Sequence, residues 1–414
     1  MFIQNMLETV GILNITFSQI GMIGLSFLLA YLALVKKHEP LLLVPISFGM
    51  MMANFPMAGL SAYCAPNIIL GVDEVGRNIL EVCKTCDGYH ADGGLVYHLY
   101  SSVKLGILPP LIFLGLGAIT DFSPIIANPK YWLIGGVGGQ LGIFTALGLS
   151  YFGSRLIAPI VNFFGINFAA FTTKESASIG IIGSSDGPTT IYTAITLAPH
   201  ILPVIAIAAY SYMALVPIIQ PPLMKLLTTK KERLVRMPEP KAVTQRQRIM
   251  FPIIVTALTL LLVPTAGPLI AMMMLGNLIR ECGVVDRVAK ALGGDFLSIT
   301  TMFIGLLIGV TATAERMLNF QTIFIILLGL TAFLFGTIGG IVTAKVLNVI
   351  TGGKVNPLIG NSGVSAMPMA ARVSQKIAQQ YDPGNFVIMH AMGPILASTI
   401  GSAVVAGILI SIFR

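Results

Sequence analysis

Long apolar runs, separated by short polar segments, extend along most of the chain. A spanning helix needs about 20 predominantly apolar residues, and these runs are continuous, whereas the strands of a membrane β-barrel alternate residue by residue. The pattern therefore predicts an all-α polytopic membrane protein with about ten transmembrane helices. The runs lie near residues 17–35, 40–56, 104–120, 131–152 and 200–224, and then near 250–266, 267–282, 298–314, 320–346 and 386–412.

Each half of the chain contains one polar stretch in which a helix cannot continue. Residues 172–199 include the sequence IGIIGSSDGPTTIY, and residues 351–384 include NPLIGNSGVSAMPMAARV. Because glycine and proline interrupt helices, both stretches are predicted to be broken or re-entrant membrane segments. Discontinuous helices of this kind carry the substrate and ion sites of many secondary transporters.

The two halves share short stretches in the same order, which indicates an internal duplication. The predicted repeats are residues 1–224 and 250–414, joined by a linker at 225–249, and an extra loop at 57–103 explains the largest difference in spacing. The matching stretches are MMMAN (50–54) with MMLGN (273–277), GAIT (117–120) with GVTA (309–312), and IGSS (182–185) with IGNS (359–362).

The distribution of charge predicts how the halves are oriented. The loop at 57–103 has five acidic and two basic residues, a net charge of −3, whereas eight basic and two acidic residues give the linker a charge of +6. Basic loops stay in the cytoplasm. The linker is therefore predicted to be a solvated cytoplasmic segment that does not bind nucleic acid, and the loop to lie outside. The alternative for the linker is that it docks a soluble partner. Five crossings per half then make the second half an inverted repeat of the first.

Composition excludes several classes of protein. Only 10% of the residues are charged and 55% are hydrophobic before glycine is counted, against about 25% charged in soluble domains. A soluble enzyme, a disordered chain and a disulfide scaffold are excluded. Cys83 and Cys86 form a CxxC pair without a second pair at zinc-site spacing. We interpret this pair as structural or incidental, although Cys64 and His90 are near enough in sequence to leave a metal site or a disulfide open.

Asp186 is the only formally charged side chain between Glu175 and Lys225. A carboxylate at membrane depth is strongly unfavourable unless it is paired, protonated or bound to a cation. A helix break here frees backbone carbonyls beside the carboxylate and the hydroxyls of Ser184 and Ser185, and such hard oxygen ligands suit a small hard cation. We therefore predict a sodium site at Asp186. The alternative is a capping or lumen-facing aspartate.

The second broken segment offers neutral oxygens in its NPLIGNSGVSAMPMAARV stretch, which contains no carboxylate. They belong to Asn356, Asn361, Ser362 and Ser365, with Gly360 among the residues that break the helix. A site with one carboxylate releases its cation when that carboxylate is protonated, which predicts exchange of sodium for protons. The alternative is that these side chains only satisfy backbone groups freed by the break.

Four stretches are long enough to be specific. They are GSSDGPTTIY (183–192), AYSYMALVPIIQPP (209–222), NPLIGNSGVSAMPMAARVS (356–374) and MHAMGP (389–394). Together and in this order they resemble the β subunit of the biotin-dependent sodium-translocating decarboxylases, whose members act on oxaloacetate, methylmalonyl-CoA, glutaconyl-CoA or malonate. The resemblance extends from about residue 36 to residue 414.

The resemblance implies a membrane translocase with enzymatic activity. In that family a carboxyltransferase α subunit transfers a carboxyl group to biotin on a carrier subunit. The β subunit then decarboxylates the carboxybiotin, takes up a proton and exports sodium. The implied cofactors are a sodium ion and the partner's biotin. Further implied partners are a small membrane γ or δ subunit and other copies of the chain, assembled in the inner (plasma) membrane of a prokaryote.

The resemblance also implies which residues act. Asp186 is the implied central site for sodium and the proton, and Arg372 is the implied holder of the carboxylate of carboxybiotin, a role suited to its fixed charge. Tyr212 and Ser365 are implied to assist ion binding and proton delivery. Asn356 and Gly360 also lie within the matching motifs and are implied sodium-site residues, beside the candidate ligand Asn361.

The chain departs from the family pattern at two places. Ile395 follows the MHAMGP stretch, where relatives often carry asparagine, which removes one polar ligand. The loop at 57–103 is shorter than in oxaloacetate members, which favours an acyl-CoA substrate for the complex.

Two other functions fit parts of the sequence. A stand-alone sodium/anion secondary transporter of inverted-repeat type fits the composition and topology equally well, and only the specific motifs argue against it. It would need no biotin carrier. A purely structural membrane anchor has no use for an intramembrane carboxylate at Asp186.

Overall fold

The computed structural model describes residues 15–37, 40–56, 68–72, 78–81, 95–165 and 168–414. This part of the chain is helical, as predicted, except for one short antiparallel hairpin. Its strands are β1 (Ile68–Val72) and β2 (Asn78–Glu81), with a bulge between Ile69 and Gly71. The hairpin falls within the sequence predicted as an extra loop at 57–103.

The chain divides into two compact units. One contains the described residues up to 108 together with 301–319, and the other contains 109–300 and 320–414.

The helices of the first half of the sequence are α1 (Phe17–Leu34), α2 (Pro40–Asn54), α3 (Leu95–Lys104), α4 (Leu108–Ile119), α5 (Ser123–Ala127), α6 (Leu133–Phe163), α7 (Thr173–Gly180), α8 (Gly187–Leu197) and α9 (Leu202–Leu227). Those that follow are α10 (Lys230–Arg233), α11 (Gln245–Leu262), α12 (Gly267–Glu281), α13 (Asp286–Thr311), α14 (Ala314–Met317), α15 (Phe320–Ile350), α16 (Met369–Tyr381) and α17 (Ile388–Phe413).

Five of the described helices are long and apolar enough to cross a membrane: α1, α6, α13, α15 and α17. A sixth candidate is the pair Pro199–Met213 and Leu215–Leu227, which is bent by 60°. The chain is therefore a helical membrane protein. Helix length and composition give fewer spans than the predicted ten, because several apolar runs form helices of only 12–15 residues, such as α2 and α4.

Buried asparagines tie helix ends together within each unit. In one unit, the Asn54 side chain donates to the carbonyl of Ala312 and accepts from the N–H of Ala314, each at 2.8 Å. In the other, the Asn277 side chain donates to the carbonyl of Thr120, also at 2.8 Å. Both asparagines are almost fully buried. They satisfy carbonyls that helix ends leave without intrahelical partners.

Glycines allow α6 and α15 to cross at backbone contact distance. A Cβ atom at Gly138 would lie 2.8 Å from the carbonyl oxygen of Gly339, and one at Gly339 would lie 2.2 Å from the carbonyl oxygen of Gly138. Small residues at such crossings permit close helix packing in membranes. The two broken segments pack against this glycine-lined crossing, since Gly183 contacts Gly142 of α6 and Gly360 contacts Gly340 of α15.

Candidate functional site

The first broken segment places Asp186 at a new helix start. Helix α7 continues as a 3-10 turn over Ile181–Ser184, and Ser185 then adopts a left-handed conformation with φ 54°. Asp186 is the N-cap of α8, and its Oδ2 accepts a hydrogen bond of 2.8 Å from the Thr189 hydroxyl. Short polar side chains favour such cap positions. The predicted break is confirmed at the predicted residue.

The Asp186 carboxylate is buried, with 4% of the residue exposed. The Ser402 hydroxyl on α17 donates to the same Oδ2 at 2.9 Å. Among the described residues, no lysine, arginine or histidine forms an ion pair with this carboxylate. Two hydroxyl donors orient a carboxylate without neutralising it. A buried site of this composition favours a bound cation or a proton.

The two broken segments meet directly. Asn356 caps a 3-10 turn over Pro357–Gly363, after which the chain is extended at Val364. The N–H of Ser365 donates to the carbonyl of Ser184 at 2.8 Å. Ser365 therefore lies beside the segment that carries Asp186, two residues before the carboxylate. This arrangement brings together the two stretches that the sequence singled out.

Several buried side-chain oxygens in these segments have no hydrogen-bond partner. They are the hydroxyls of Ser185, Ser362 and Ser365 and the Oδ1 of Asn361. Buried oxygens are almost always hydrogen-bonded, and unpaired ones often mark an ion or water site. Their concentration in the two broken segments, one of which carries a buried carboxylate without a cationic partner, suits a small cation.

Asn361 belongs to a buried network that the sequence did not reveal. Its amide donates to Oε1 of Gln220 at 2.8 Å and to the carbonyl of Ala370 at 3.2 Å. Its own Oδ1 has no hydrogen-bond partner among the described residues. The Gln220 amide in turn donates a hydrogen bond to the hydroxyl of Thr337 on α15 at 3.4 Å. Gln220 is fully buried. Its only signal in the sequence is a polar residue between apolar and proline positions of IIQPP.

Asn356 makes different contacts from those expected of a sodium ligand. Its Oδ1 accepts from the N–H of Leu358 at 3.0 Å, and its amide donates to the carbonyls of Arg233 and Val235 at 3.1 and 2.8 Å. Both ends of this side chain are thus hydrogen-bonded to backbone, and two of its three bonds reach the linker.

Gly360 is required by packing. A Cβ atom at this position would lie 2.4 Å from the carbonyl oxygen of Gly340 and 2.6 Å from the Cα of Ile341. Any larger residue would push the second broken segment away from α15. The structure gives this glycine a close-approach role, which is the ordinary reason for glycine at such a contact.

The two tyrosines of the AYSY motif have different surroundings. The Tyr212 hydroxyl donates to the carbonyl of Ile326 on α15. The Tyr210 ring instead lies against Gly187, where a Cβ atom would be 2.2 Å from Cε1 and 2.6 Å from the hydroxyl oxygen. Tyr210, which the resemblance did not single out, therefore lies against the residue that follows Asp186, whereas Tyr212 contacts α15.

Arg372 lies on the exposed face of the amphipathic helix α16, together with Lys376. The opposite face of this helix buries small and apolar residues, including Ala371 and Val373. Arg372 makes no side-chain hydrogen bond or ion pair with the described residues, and it is not brought into contact with Asp186. Its guanidinium is available to an anion from outside the chain.

The structure describes one of the four cysteines. Cys64, Cys83, Cys86 and His90 lie outside the described residues, while Cys282 is a partly buried free thiol. Within the described ranges, no group of three or more histidine, cysteine, aspartate or glutamate side chains is close enough to hold a metal ion. Ile395, where relatives were expected to carry asparagine, is fully buried among apolar residues.

Comparison with known proteins gives matches along nearly the whole chain. The family model described as the Na+-transporting oxaloacetate decarboxylase beta subunit matches residues 18–413. The methylmalonyl-CoA decarboxylase subunit beta of Propionigenium modestum is 47% identical over 98% of both chains. The glutaconyl-CoA decarboxylase subunit beta of Acidaminococcus fermentans is 43% identical over 98% of this chain and 96% of that one. The oxaloacetate decarboxylase beta chain of Klebsiella pneumoniae is 43% identical over 98% and 97%.

Proposed function

This chain belongs to the β-subunit family of the Na+-transporting oxaloacetate decarboxylases, and from this membership we propose that it decarboxylates carboxybiotin on a partner carrier and exports Na+. The reaction breaks the bond between the carboxyl carbon and the biotin nitrogen, releases CO2 and places one proton on that nitrogen. The chain is accordingly a sodium-translocating decarboxylase subunit.

The observation that carries the proposal is the buried Asp186 carboxylate without a cationic partner, at the place where the two broken segments meet. In our proposal this carboxylate holds either Na+ or a proton, and unpaired oxygens of Ser185, Asn361 and Ser365 complete the cation site. Binding of one species then excludes the other, which links proton uptake to sodium release. Gly360 contributes by holding the second segment against α15.

Arg372 is proposed to receive the carboxylate of carboxybiotin. Its exposed guanidinium has no partner among the described residues, and a guanidinium binds a carboxylate with two parallel hydrogen bonds. Tyr212 is proposed to act through α15, because its hydroxyl donates to the carbonyl of Ile326. Proton delivery to the Asp186 site then depends on how α15 and α9 pack at this contact.

We also propose that the two halves are inverted repeats with about ten crossings in all, counting short and bent helices that fall below the usual length of about 20 residues. The hydrogen bonds that Asn54 and Asn277 each make to the other half of the chain support this. The MMMAN and MMLGN stretches match these asparagines, and the GAIT and GVTA stretches match Thr120 with Ala312. Each asparagine of one half donates to the matching carbonyl of the other half at 2.8 Å.

The proposed partners are those of the family: a biotin carrier, a carboxyltransferase α subunit, a small membrane γ or δ subunit and other copies of the chain, in the plasma membrane of a prokaryote. An acyl-CoA is the proposed substrate of the soluble subunit. Alignment to the oxaloacetate chain of Klebsiella pneumoniae extends over 435 positions, more than the 414 residues of this chain, so that relative contains extra residues. Alignment to the methylmalonyl-CoA relative extends over only 407.

The deciding experiment uses purified protein in liposomes, supplied with carboxylated carrier or free carboxybiotin, with and without Na+. We expect decarboxylation that Na+ stimulates, accompanied by Na+ uptake into the liposomes. Sodium flux driven by an anion gradient, without decarboxylation, would instead favour the stand-alone transporter.

A further inference from the structure

The segment Thr228–Pro238, which we call the strap, is fastened to the second half of the chain at several points. The Asn356 amide donates to the carbonyls of Arg233 and Val235 at 3.1 and 2.8 Å. The Asn385 amide donates to the same two carbonyls at 3.1 and 3.2 Å. Two asparagines, one at each end of the stretch that contains α16, thus clamp one short piece of backbone.

Side chains of the strap add further contacts. The Arg233 guanidinium is buried, donates to the Thr228 hydroxyl at 2.8 Å and to the Tyr381 hydroxyl at 2.5 Å, and lies over the Tyr381 ring. Arg236 forms a two-point ion pair with Asp382 at 2.7 and 2.9 Å. The linker was predicted to be a solvated loop, but this part of it is docked.

The clamp and the cap engage both the amide group and the oxygen of the Asn356 side chain. Its amide serves the strap, and its Oδ1 caps the 3-10 turn through the N–H of Leu358. Oxygen atoms available for a cation are found farther along the segment, at Asn361, Ser362 and Ser365. Asn356 therefore joins the strap to the start of the broken segment that carries those oxygens.

We propose that Asn356 and Asn385 are positioning residues that act through the strap and do not ligate sodium. The strap fixes where the second broken segment begins, and this sets the position of Ser365 against Ser184, beside Asp186. This inference rests on the proposed function at Asp186, and it assigns to Asn385 a role in sodium binding at a distance. Positioning partners of this kind typically change metal affinity about 10–100-fold when removed.

The test uses three changes in the complete decarboxylase complex: Asn385→Ala, Asn356→Asp, and a charge swap that combines Arg236→Asp with Asp382→Arg. Lys241→Ala, which removes an exposed cation of the same linker, is the matched control. We expect Asn385→Ala and Asn356→Asp each to raise the Na+ concentration for half-maximal decarboxylation about 10-fold or more. Each single charge reversal should weaken sodium binding, and the double swap should restore it.

A direct ligand role for Asn356 gives the opposite pattern. Asn356→Asp keeps an oxygen and adds a negative charge, so sodium affinity would be kept or increased, while Asn385→Ala would leave it unchanged. Either result overturns the proposal. If Asn385→Ala does not fold, the charge swap still tests the strap, because Arg236 and Asp382 are on the surface.

A second measurement is independent of activity. Limited trypsin digestion of the purified complex should cleave after Arg233 slowly in the wild type and in Lys241→Ala, relative to cleavage after the exposed Arg246. Asn385→Ala should increase cleavage after Arg233 several-fold. Equal cleavage in wild type and variant would overturn the clamp even in an active complex. If the wild type shows no sodium-stimulated decarboxylation, the proposed function is refuted. The digestion result, which measures only how the strap is held, still stands.

Discussion

The N–H of Ser365 and the carbonyl of Ser184 form a 2.8 Å hydrogen bond between the two broken segments. Through this bond the second segment, which has no carboxylate between Asn356 and Ser374, contacts the first segment at Ser184, two residues before Asp186. In the proposed site, a cation held by Asp186 would therefore lie close to groups from both halves of the chain. Displacement of either segment would separate the carboxylate from neutral oxygens, and this is a physical means for a pump to change its ion affinity.

Asp186→Asn should reduce sodium-dependent decarboxylation at least about 100-fold, since removal of a charged partner from a buried site costs several kcal/mol. The asparagine keeps the N-cap of α8 and nearly the same volume, so the protein should fold. The measurement is CO2 release and ²²Na+ uptake in proteoliposomes. Asp295→Asn, which changes an exposed carboxylate, is the control and should be neutral. Normal sodium transport by Asp186→Asn would refute the site.

Ser402→Ala should weaken sodium binding about ten-fold, because a hydrogen bond to a buried carboxylate contributes about 1.5–3 kcal/mol. The Ser402 hydroxyl is 2.9 Å from Oδ2 of Asp186 and orients this oxygen. Ser411→Ala, on an exposed position of the same helix α17, should leave sodium binding unchanged. The measurement is the Na+ concentration for half-maximal activity. An equal effect of both substitutions would point to helix packing instead.

The sequence located the first broken segment because its signals are local. Asp186 is the only charge in a long apolar stretch, and the adjacent glycines and Pro188 determine where a helix must end and restart. The repeat pattern likewise aligns Asn54 with Asn277 from the sequence alone.

Other parts of the site depend on contacts between distant residues. Ser402 is 216 positions from Asp186 and is one of several small polar residues on α17. Asn356 was placed in the right segment, but its amide is directed to the strap, which no local pattern could show. Apolar content also does not reveal where a run bends, as in the 60° break of α9, so helix length and composition identify fewer spans than the ten apolar runs predict.

Gly187→Ala should reduce activity strongly, because the new Cβ atom would lie 2.2 Å from the Tyr210 ring. The ring or α8 would have to move, and Asp186 immediately precedes this position. Combining Gly187→Ala with Tyr210→Ala should restore part of the activity relative to Gly187→Ala alone, by removing the overlap. Double-mutant analysis of sodium-stimulated decarboxylation measures this coupling. Additive losses would show that Tyr210 and Gly187 act separately.

The ion pair between Arg236 and Asp382 predicts a specific dependence of stability on pH. The hydrogen bond from Arg236 lowers the pKa of Asp382 below its ordinary value, so the pair stabilises the folded protein fully above the ordinary aspartate pKa of about 3.9. This contribution is lost as the pH falls through the lower, folded-state pKa. The melting temperature of the wild type should therefore exceed that of Asp382→Asn by a constant amount from about pH 6 to 8, and the difference should disappear only well below about pH 4. Glu239→Gln, at an exposed acid in the same linker, should show no such difference. A difference that already disappears between about pH 6 and 8 would mean that a group other than this carboxylate controls the fastening of the strap.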